Sequence, residues 1–234
     1  MEGVALTEGW QKVPEERLGM FTGLIESVCQ VRSLSTGRVG EGGAMAVDLR
    51  SLADDCRLGD SIAINGACLT VTRLEGAVAT FGLSPETLAR STLAMLKPSS
   101  LVNVERAMLA TDRFGGHMVQ GHVDGVGTIR AVKKLGEFAD IEFGASAEML
   151  GQMVPKGSVA VDGVSLTIAG LGDSGFRVAA IPETLSRTTL GSARIGDKVN
   201  VEIDIIVKVV RRQLENILPK NEPLTVERLR QMGF

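Results

Sequence analysis

Ser84-Pro85-Glu86-Thr87-Leu88-Ala89-Arg90-Ser91-Thr92-Leu93 recurs in the same chain as Ile181-Pro182-Glu183-Thr184-Leu185-Ser186-Arg187-Thr188-Thr189-Leu190. Glu86 and Glu183 set the offset at 97 residues. The same offset lays Asn65-Gly66-Ala67-Cys68-Leu69-Thr70-Val71 on Asp162-Gly163-Val164-Ser165-Leu166-Thr167-Ile168, and Val102-Asn103-Val104-Glu105 on Val199-Asn200-Val201-Glu202. Toward the start of each copy the register slips by one, so that Met20-Phe21-Thr22-Gly23 falls on Met118-Val119-Gln120-Gly121 and Glu26 on Asp124. A period near 100 residues exceeds any solenoid unit, which runs about 20–50 residues, and has the size of a small domain. The chain therefore reads as a duplicated domain, with a first barrel at 20–116 and a second at 117–203. Residues 1–19 form an extension expected to be disordered, 204–218 a C-terminal helix, and 219–234 a tail.

Within each copy the pattern is β. Ser61-Ile62-Ala63-Ile64 and Cys68-Leu69-Thr70-Val71-Thr72 flank Asn65-Gly66, and Val159-Ala160-Val161 and Ser165-Leu166-Thr167-Ile168 flank Asp162-Gly163. Asn-Gly and Asp-Gly between alternating strands signal a tight hairpin, because both turn residues tolerate positive φ. Pro85 opens a short helix with Ser84 as its cap; Ile181 offers no cap in the second copy. Many short strands with one short helix per copy point to a small closed barrel, which leaves no exposed sheet edge. Asp204 to Leu218 reads as an amphipathic helix capped by Asp204 and stopped by Pro219. Ile205, Ile206, Val209, Val210, Leu214, Ile217 and Leu218 share one face, which packs on a subunit partner or on the helix's own barrel.

Composition excludes several classes. A net charge of −3, 3% aromatic residues and no Tyr leave neither a basic footprint nor a stacking platform, so nucleic-acid binding is not expected. No stretch approaches the run of about 18 apolar residues that spans a bilayer, and Met1 to Gly19 lacks a signal-peptide core. Cys29, Cys56 and Cys68 have no zinc-like spacing and read as reduced thiols of a soluble, cytoplasmic protein. His117 and His122 lie five apart, which is not the spacing of a helical metal pair. Gly40-Glu41-Gly42-Gly43 lacks the Lys-Ser/Thr of a phosphate loop. In the tail, Leu224 and Leu229 could staple a short helix capped by Thr225.

Met20-Phe21-Thr22-Gly23-Leu24-Ile25-Glu26, the two hairpin blocks, Gly115-Gly116-His117, Gln120-Gly121-His122-Val123-Asp124, Ile181-Pro182-Glu183-Thr184-Leu185 and Asn200-Val201-Glu202-Ile203-Asp204 resemble, in order, the riboflavin synthase family. The resemblance runs from Met20 to about Leu218. It implies an all-β fold of two tandem six-stranded, Greek-key-like closed barrels plus a C-terminal helix that assembles a homotrimer. It implies dismutation of two 6,7-dimethyl-8-ribityllumazine molecules by four-carbon transfer, giving riboflavin and 5-amino-6-(D-ribitylamino)uracil. It implies no metal or organic cofactor, and it leaves open a complex with lumazine synthase. Carried over as substrate contacts of the first barrel are Gly23-Leu24-Ile25, Cys68-Leu69-Thr70 and Gly82-Leu83-Ser84-Pro85-Glu86-Thr87. Those of the second are Gly121-His122-Val123, Lys156, Ser165-Leu166-Thr167 and Ala179-Ala180-Ile181-Pro182-Glu183-Thr184. The alternative is a non-catalytic lumazine or flavin binder of the same fold.

Two identical substrates must behave differently, one losing a methyl proton and the other acting as electrophile. The places to look are the pairs where the copies diverge: Cys68 against Ser165, Ala107 against Asp204, Leu24 against His122, Gly59 against Lys156. Cys68, Ser165, His122 and Asp204 are accordingly the candidate catalytic residues, moving protons or stabilising ring anions. Each also has a plain structural reading: a packed thiol for Cys68, a helix cap for Asp204, a solvated turn for Lys156.

Overall fold

In a computed structural model the described residues are 19–37 and 41–217, together with the single positions 226 and 230. The extension at 1–18, Gly40, Leu218 and nearly all of the tail, including Leu224, Thr225 and Leu229, lie outside them. The first copy builds β1 (Ser27–Thr36), β2 (Gly43–Asp48), β3 (Ser61–Ile64), β4 (Ala67–Glu75), β5 (Val78–Leu83), α1 (Pro85–Arg90) and β6 (Leu101–Arg106). The second builds β7 (Gly125–Leu135), β8 (Phe138–Gly144), α2 (Ala147–Leu150), β9 (Ser158–Val161), β10 (Val164–Leu171), β11 (Gly175–Ala180), α3 (Pro182–Arg187) and β12 (Lys198–Ile203). Each set closes into a six-stranded antiparallel barrel, β1-β2-β5-β4-β3-β6 and its equivalent β7-β8-β11-β10-β9-β12. The order places the β2–β3 connection across the barrel, the Greek-key crossing. A final helix, α4 (Ile205–Ile217), follows β12.

The duplication extends to irregularities that no residue type announces. The register shifts between Val31 and Ser33 and between Val71 and Arg73, and again between Ile129 and Ala131 and between Ile168 and Gly170. Bulges at matching positions sharpen the strand bend that a small barrel needs. Each barrel has its own core, centred on Phe81, Met45 and Leu49 in one and on the stacked Phe143 and Phe176 rings, 5.1 Å apart, in the other. Ser84 Oγ caps α1 by accepting from Thr87 N at 3.0 Å. α3 forms without a side-chain cap, its start set by Pro182.

The two hairpin turns adopt the expected conformation, with φ of 44° and 75° at Asn65-Gly66 and of 45° and 78° at Asp162-Gly163. They meet back to back: a Cβ on Gly66 would lie 2.6 Å from Gly163 N. Asn103 Nδ2 donates to Asp162 O at 2.9 Å, and Asn200 Nδ2 donates to Asn65 O at 2.7 Å. The amide oxygens of the same two asparagines accept from Thr189 N and Thr92 N, each on the other barrel. These paired bonds define a pseudo-twofold axis between the barrels.

The network is symmetric except at one atom: Asn65 Oδ1 accepts from Asn103 N, whereas a carboxylate, Asp162 Oδ1, accepts from Asn200 N. Burial pushes the Asp162 carboxyl up from 3.8 to about 7. The folded state thus binds this proton more tightly than the unfolded chain. The associated stability is full below about pH 4 and is lost as pH rises through about 7. Asp162→Asn, which copies the sister turn, should remove that loss. The expected outcome is a variant more stable than the parent at pH 8, by on the order of 4 kcal/mol, with the two melting curves converging toward pH 4. Thermal melts from pH 4 to 8 decide it, and an equal or lower melting temperature for the variant at pH 8 contradicts it.

Candidate active site

The segments that precede β1 and β7 do not stay with the barrels they introduce. Phe21 and Val119 form an antiparallel bridge, with N–H···O distances of 2.8 and 3.1 Å, where the two segments cross. Beyond the crossing, Gly23 O accepts from Ser165 N at 2.8 Å, and Gly121 O accepts from Cys68 N at 2.9 Å. Ile25 is buried in the second core, and Val123 packs on the first. The repeats exchange arms. This corrects the grouping expected from sequence: Gly121-His122-Val123 belongs with Cys68 on the first barrel, and Gly23-Leu24-Ile25 with Ser165 on the second. Glycine is required at the contact. Gly23 and Gly121 both have φ of +77°, and a Cβ would approach Ser165 Cβ at 2.6 Å or Cys68 Cβ at 2.5 Å.

On the first barrel the exchange closes a cavity of about 260 Å³. Its walls are Ala67 and Cys68 at the start of β4, Glu86, Thr87, Arg90 and Ser91 on and after α1, and the arm residues Gly121, His122 and Val123. A space of this size lies just under the usual range for a whole small-molecule site, about 300–1,000 Å³. His122 is exposed at the mouth. Thr70, Gly82 and Ser84 of the same barrel are exposed but do not line the cavity, while Leu69 and Leu83 point into the core and can offer only backbone. On the second barrel Thr167, Ala179 and Glu183 are likewise exposed, Pro182 and Thr184 half-buried, and Leu166 and Ala180 buried. Leu24 and Ile181, each about half exposed, leave apolar surface on the arm and before α3. Each surface thus offers apolar side chains and small hydroxyls, which suits a flat polar heterocycle.

The chemistry of the two surfaces differs. Burial raises the Cys68 thiol above its ordinary 9.0, opposed by a hydrogen bond to Ser61 and reinforced by the charge of Glu202. A thiol so held stays protonated near neutral pH, which disfavours direct addition by thiolate. Its counterpart Ser165 has a partner that sequence reasoning did not select: His117 Nδ1 lies 2.7 Å from Ser165 Oγ. His117 is buried, its Nε2 is the one buried side-chain polar atom without a partner among the described residues, and burial lowers its pKa from 6.5 while the charge of Asp204 opposes the shift. The pair is a neutral imidazole on a serine hydroxyl. Gly115-Gly116 explains how the chain reaches it. A Cβ on Gly116 would sit 2.0 Å from Thr22 O, so glycine at that position lets the segment pass under the arm. The signal for His117 was present in the repeat register, since neither offset gives it a histidine counterpart.

Asp204 caps α4, its Oδ1 accepting from Ile206 N at 2.9 Å, and its field reaches His117. Lys208 on the same helix pairs with Asp124 at 2.7 Å, tying α4 to the arm that carries His122. No residue of α4 is buried, and Ile206, Val209, Val210, Leu214 and Ile217 are about half exposed, so its own barrel does not cover the apolar face. Among the described residues no helix is long and apolar enough to cross a membrane.

Comparison with known proteins adds the family. The lumazine binding domain matches twice, over residues 22–107 and 120–204. The chain belongs to the riboflavin synthase family. It is 40% identical to riboflavin synthase of Actinobacillus pleuropneumoniae over 218 residues, covering 92% of this chain and all of that protein. It is 42% identical to the Schizosaccharomyces pombe enzyme, covering 84% and 94% of the two chains, and 43% identical to that of Mycobacterium tuberculosis, covering 84% and 99%. The fold is similar to crystal structures of LumP complexed with 6,7-dimethyl-8-(1′-D-ribityl)lumazine and with riboflavin, each at a TM-score of 0.71, covering 79% of this chain and 99% of the other, at 20% and 21% identity.

Lys156 carries a cost that the fold does not require. It sits at φ +66°, where its sister position is Gly59 at φ +90°. Each residue makes the same backbone bond, to Ile168 O and to Val71 O, at 2.9 Å. A lysine in the left-handed region costs about 1 kcal/mol relative to glycine. Lys156→Gly should therefore leave stability unchanged or raise it slightly while weakening ligand binding on the second barrel. Melting temperature and riboflavin titration measured together test this, and unchanged affinity would remove Lys156 from the site.

Proposed function

We propose that the chain catalyses the dismutation of two 6,7-dimethyl-8-ribityllumazine molecules to riboflavin and 5-amino-6-(D-ribitylamino)uracil. The observation that carries the reading is a pair of equivalent surfaces that diverge in chemistry: a serine on a neutral buried histidine at one, a protonated thiol at the other. The lumazine on the second barrel is the one deprotonated at its C7 methyl group. Ser165 and His117 supply the route for that proton, since an imidazole kept neutral by burial can accept it. The lumazine on the first barrel, against Cys68 and His122, is the electrophile. Cys68 acts there as a neutral contact and hydrogen-bond donor. Asp204 steadies the charge that develops on His117.

Each surface alone is open, and the first-barrel cavity is small for a complete substrate. The reading therefore includes a homotrimer packed through the apolar face of α4, with the first barrel of one chain set against the second barrel of its neighbour. Holding two reactants so aligned removes on the order of 7–11 kcal/mol from a bimolecular barrier. Three free thiols agree with a cytoplasmic protein. A passive lumazine binder is disfavoured because both surfaces retain their polar residues.

Incubation with 6,7-dimethyl-8-ribityllumazine should convert its fluorescence to that of riboflavin; stable lumazine fluorescence with no riboflavin overturns the enzyme reading. His117→Gln should lower turnover by about 10²-fold or more and leave riboflavin binding nearly intact. If Cys68→Ser and Asp204→Asn both keep full turnover, the roles given to those two residues are wrong.

A further inference from the structure

Two buried carboxylates stand outside this mechanism. Glu105 near the end of β6 and Glu202 near the end of β12 are equivalent in the repeat, and each is under 5% exposed. Both direct their oxygens at an arm. Glu105 Oε1 accepts from Thr22 N at 2.6 Å and from the Thr22 hydroxyl at 2.7 Å, and its Oε2 accepts from Gly23 N at 2.9 Å. Glu202 Oε1 accepts from Gln120 N at 2.7 Å, and its Oε2 accepts from Gly121 N at 3.0 Å. The same glycines present their carbonyls to the opposite barrel: Gly23 O to Ser165 N, Gly121 O to Cys68 N. A single glycine therefore separates the carboxylate of one barrel from the ligand-facing strand of the other.

We propose that Glu202 positions the site on the first barrel and Glu105 the site on the second, so that each lumazine surface is held by a carboxylate of the opposite barrel. The proposal rests on the reading of these surfaces as lumazine sites; the crossed wiring does not. Three observations support it. Charge-assisted bonds to two successive amides fix both the place and the rotation of a peptide, and the positive-φ glycines leave little freedom to relax. The charge of Glu202 is felt by the Cys68 thiol across the barrel boundary. Burial raises both carboxyl groups, Glu105 to about 7, and the hydrogen bonds from the arm amides oppose that shift, so the arm is what favours the ionised form of each. Glu105 and Glu202 are thus positioning residues, acting through Gly23-Leu24-Ile25 and Gly121-His122-Val123. An amide in place of either carboxylate would turn a donor toward one of the backbone N–H groups and release the arm.

The test is a crossed pattern of hydrogen exchange in the full-length protein, read by mass spectrometry on peptides spanning residues 66–72 and 163–169. Glu202→Gln should speed exchange at the Cys68 amide about tenfold or more and leave Ser165 unchanged; Glu105→Gln should do the reverse. Added riboflavin should then protect only the 163–169 peptide in Glu202→Gln and only the 66–72 peptide in Glu105→Gln. Faster exchange on the carboxylate's own barrel, equal effects on both peptides or no effect on either overturns the proposal. Thr22→Val and Glu202→Asp are the gentler pair if the amide variants do not fold. The first removes one hydrogen bond to Glu105 and should loosen Ser165 alone; the second keeps the charge, shortens the reach and should loosen Cys68 alone. Should riboflavin protect neither peptide in the parent protein, the proposed function fails, and the exchange pattern without ligand still decides the wiring.

Discussion

Two tight turns packed backbone to backbone hold this molecule together. Gly66 and Gly163 approach so closely that neither can carry a side chain, and the contact works only because each turn has positive φ at both of its central positions. Around it Asn103 and Asn200 reach across the axis, each donating to the opposite turn and accepting from the segment that follows the opposite short helix. Buried amides in such a place must be fully satisfied or they destabilise the fold. That satisfaction fixes how one barrel sits on the other, and it sets where the arms can cross.

The arms follow from that frame. Phe21, Ala63, Ala107, Val119 and Ala160 form a small apolar cluster between the barrels, with Cys68 at its edge. Small residues there let two chain segments cross and land on opposite barrels. Each proposed ligand surface is consequently a composite of both repeats. A duplicated protein could have kept two self-contained sites; this one makes each site depend on the other copy. The asymmetry needed to treat two identical substrates differently is then small in chemical terms: an added histidine behind one serine, a thiol in place of the other hydroxyl, a lysine where a glycine would be easier.

Burial supplies the reactivity that these few changes call for. It keeps His117 neutral and so able to accept a proton, and it keeps Cys68 protonated and so unreactive as a nucleophile. Both shifts move further from neutral pH than residue type alone would place these groups. The charge of Asp204 opposes the effect of burial on His117, which places the start of α4 electrically beside the second surface.

Much of this was legible in the sequence. The offset of 97 residues carried the duplication, the hairpins with their turns and the short helix of each copy, and an apolar face marked α4, because these depend on local pattern and on backbone preferences. It also marked Cys68, Ser165, Lys156 and Asp204 as the positions where the copies part. The tertiary structure alone decided the exchange of arms, since nothing local distinguishes a strand that stays with its barrel from one that crosses to its neighbour. Only there did Gly121-His122-Val123 join Cys68 rather than Ser165, and only there did His117 reach a hydroxyl 48 residues away. The physical reason is the same in each case: periodicity and turn chemistry are properties of a few adjacent residues, whereas hydrogen-bond partners and desolvation depend on which distant segments the packed barrels bring together.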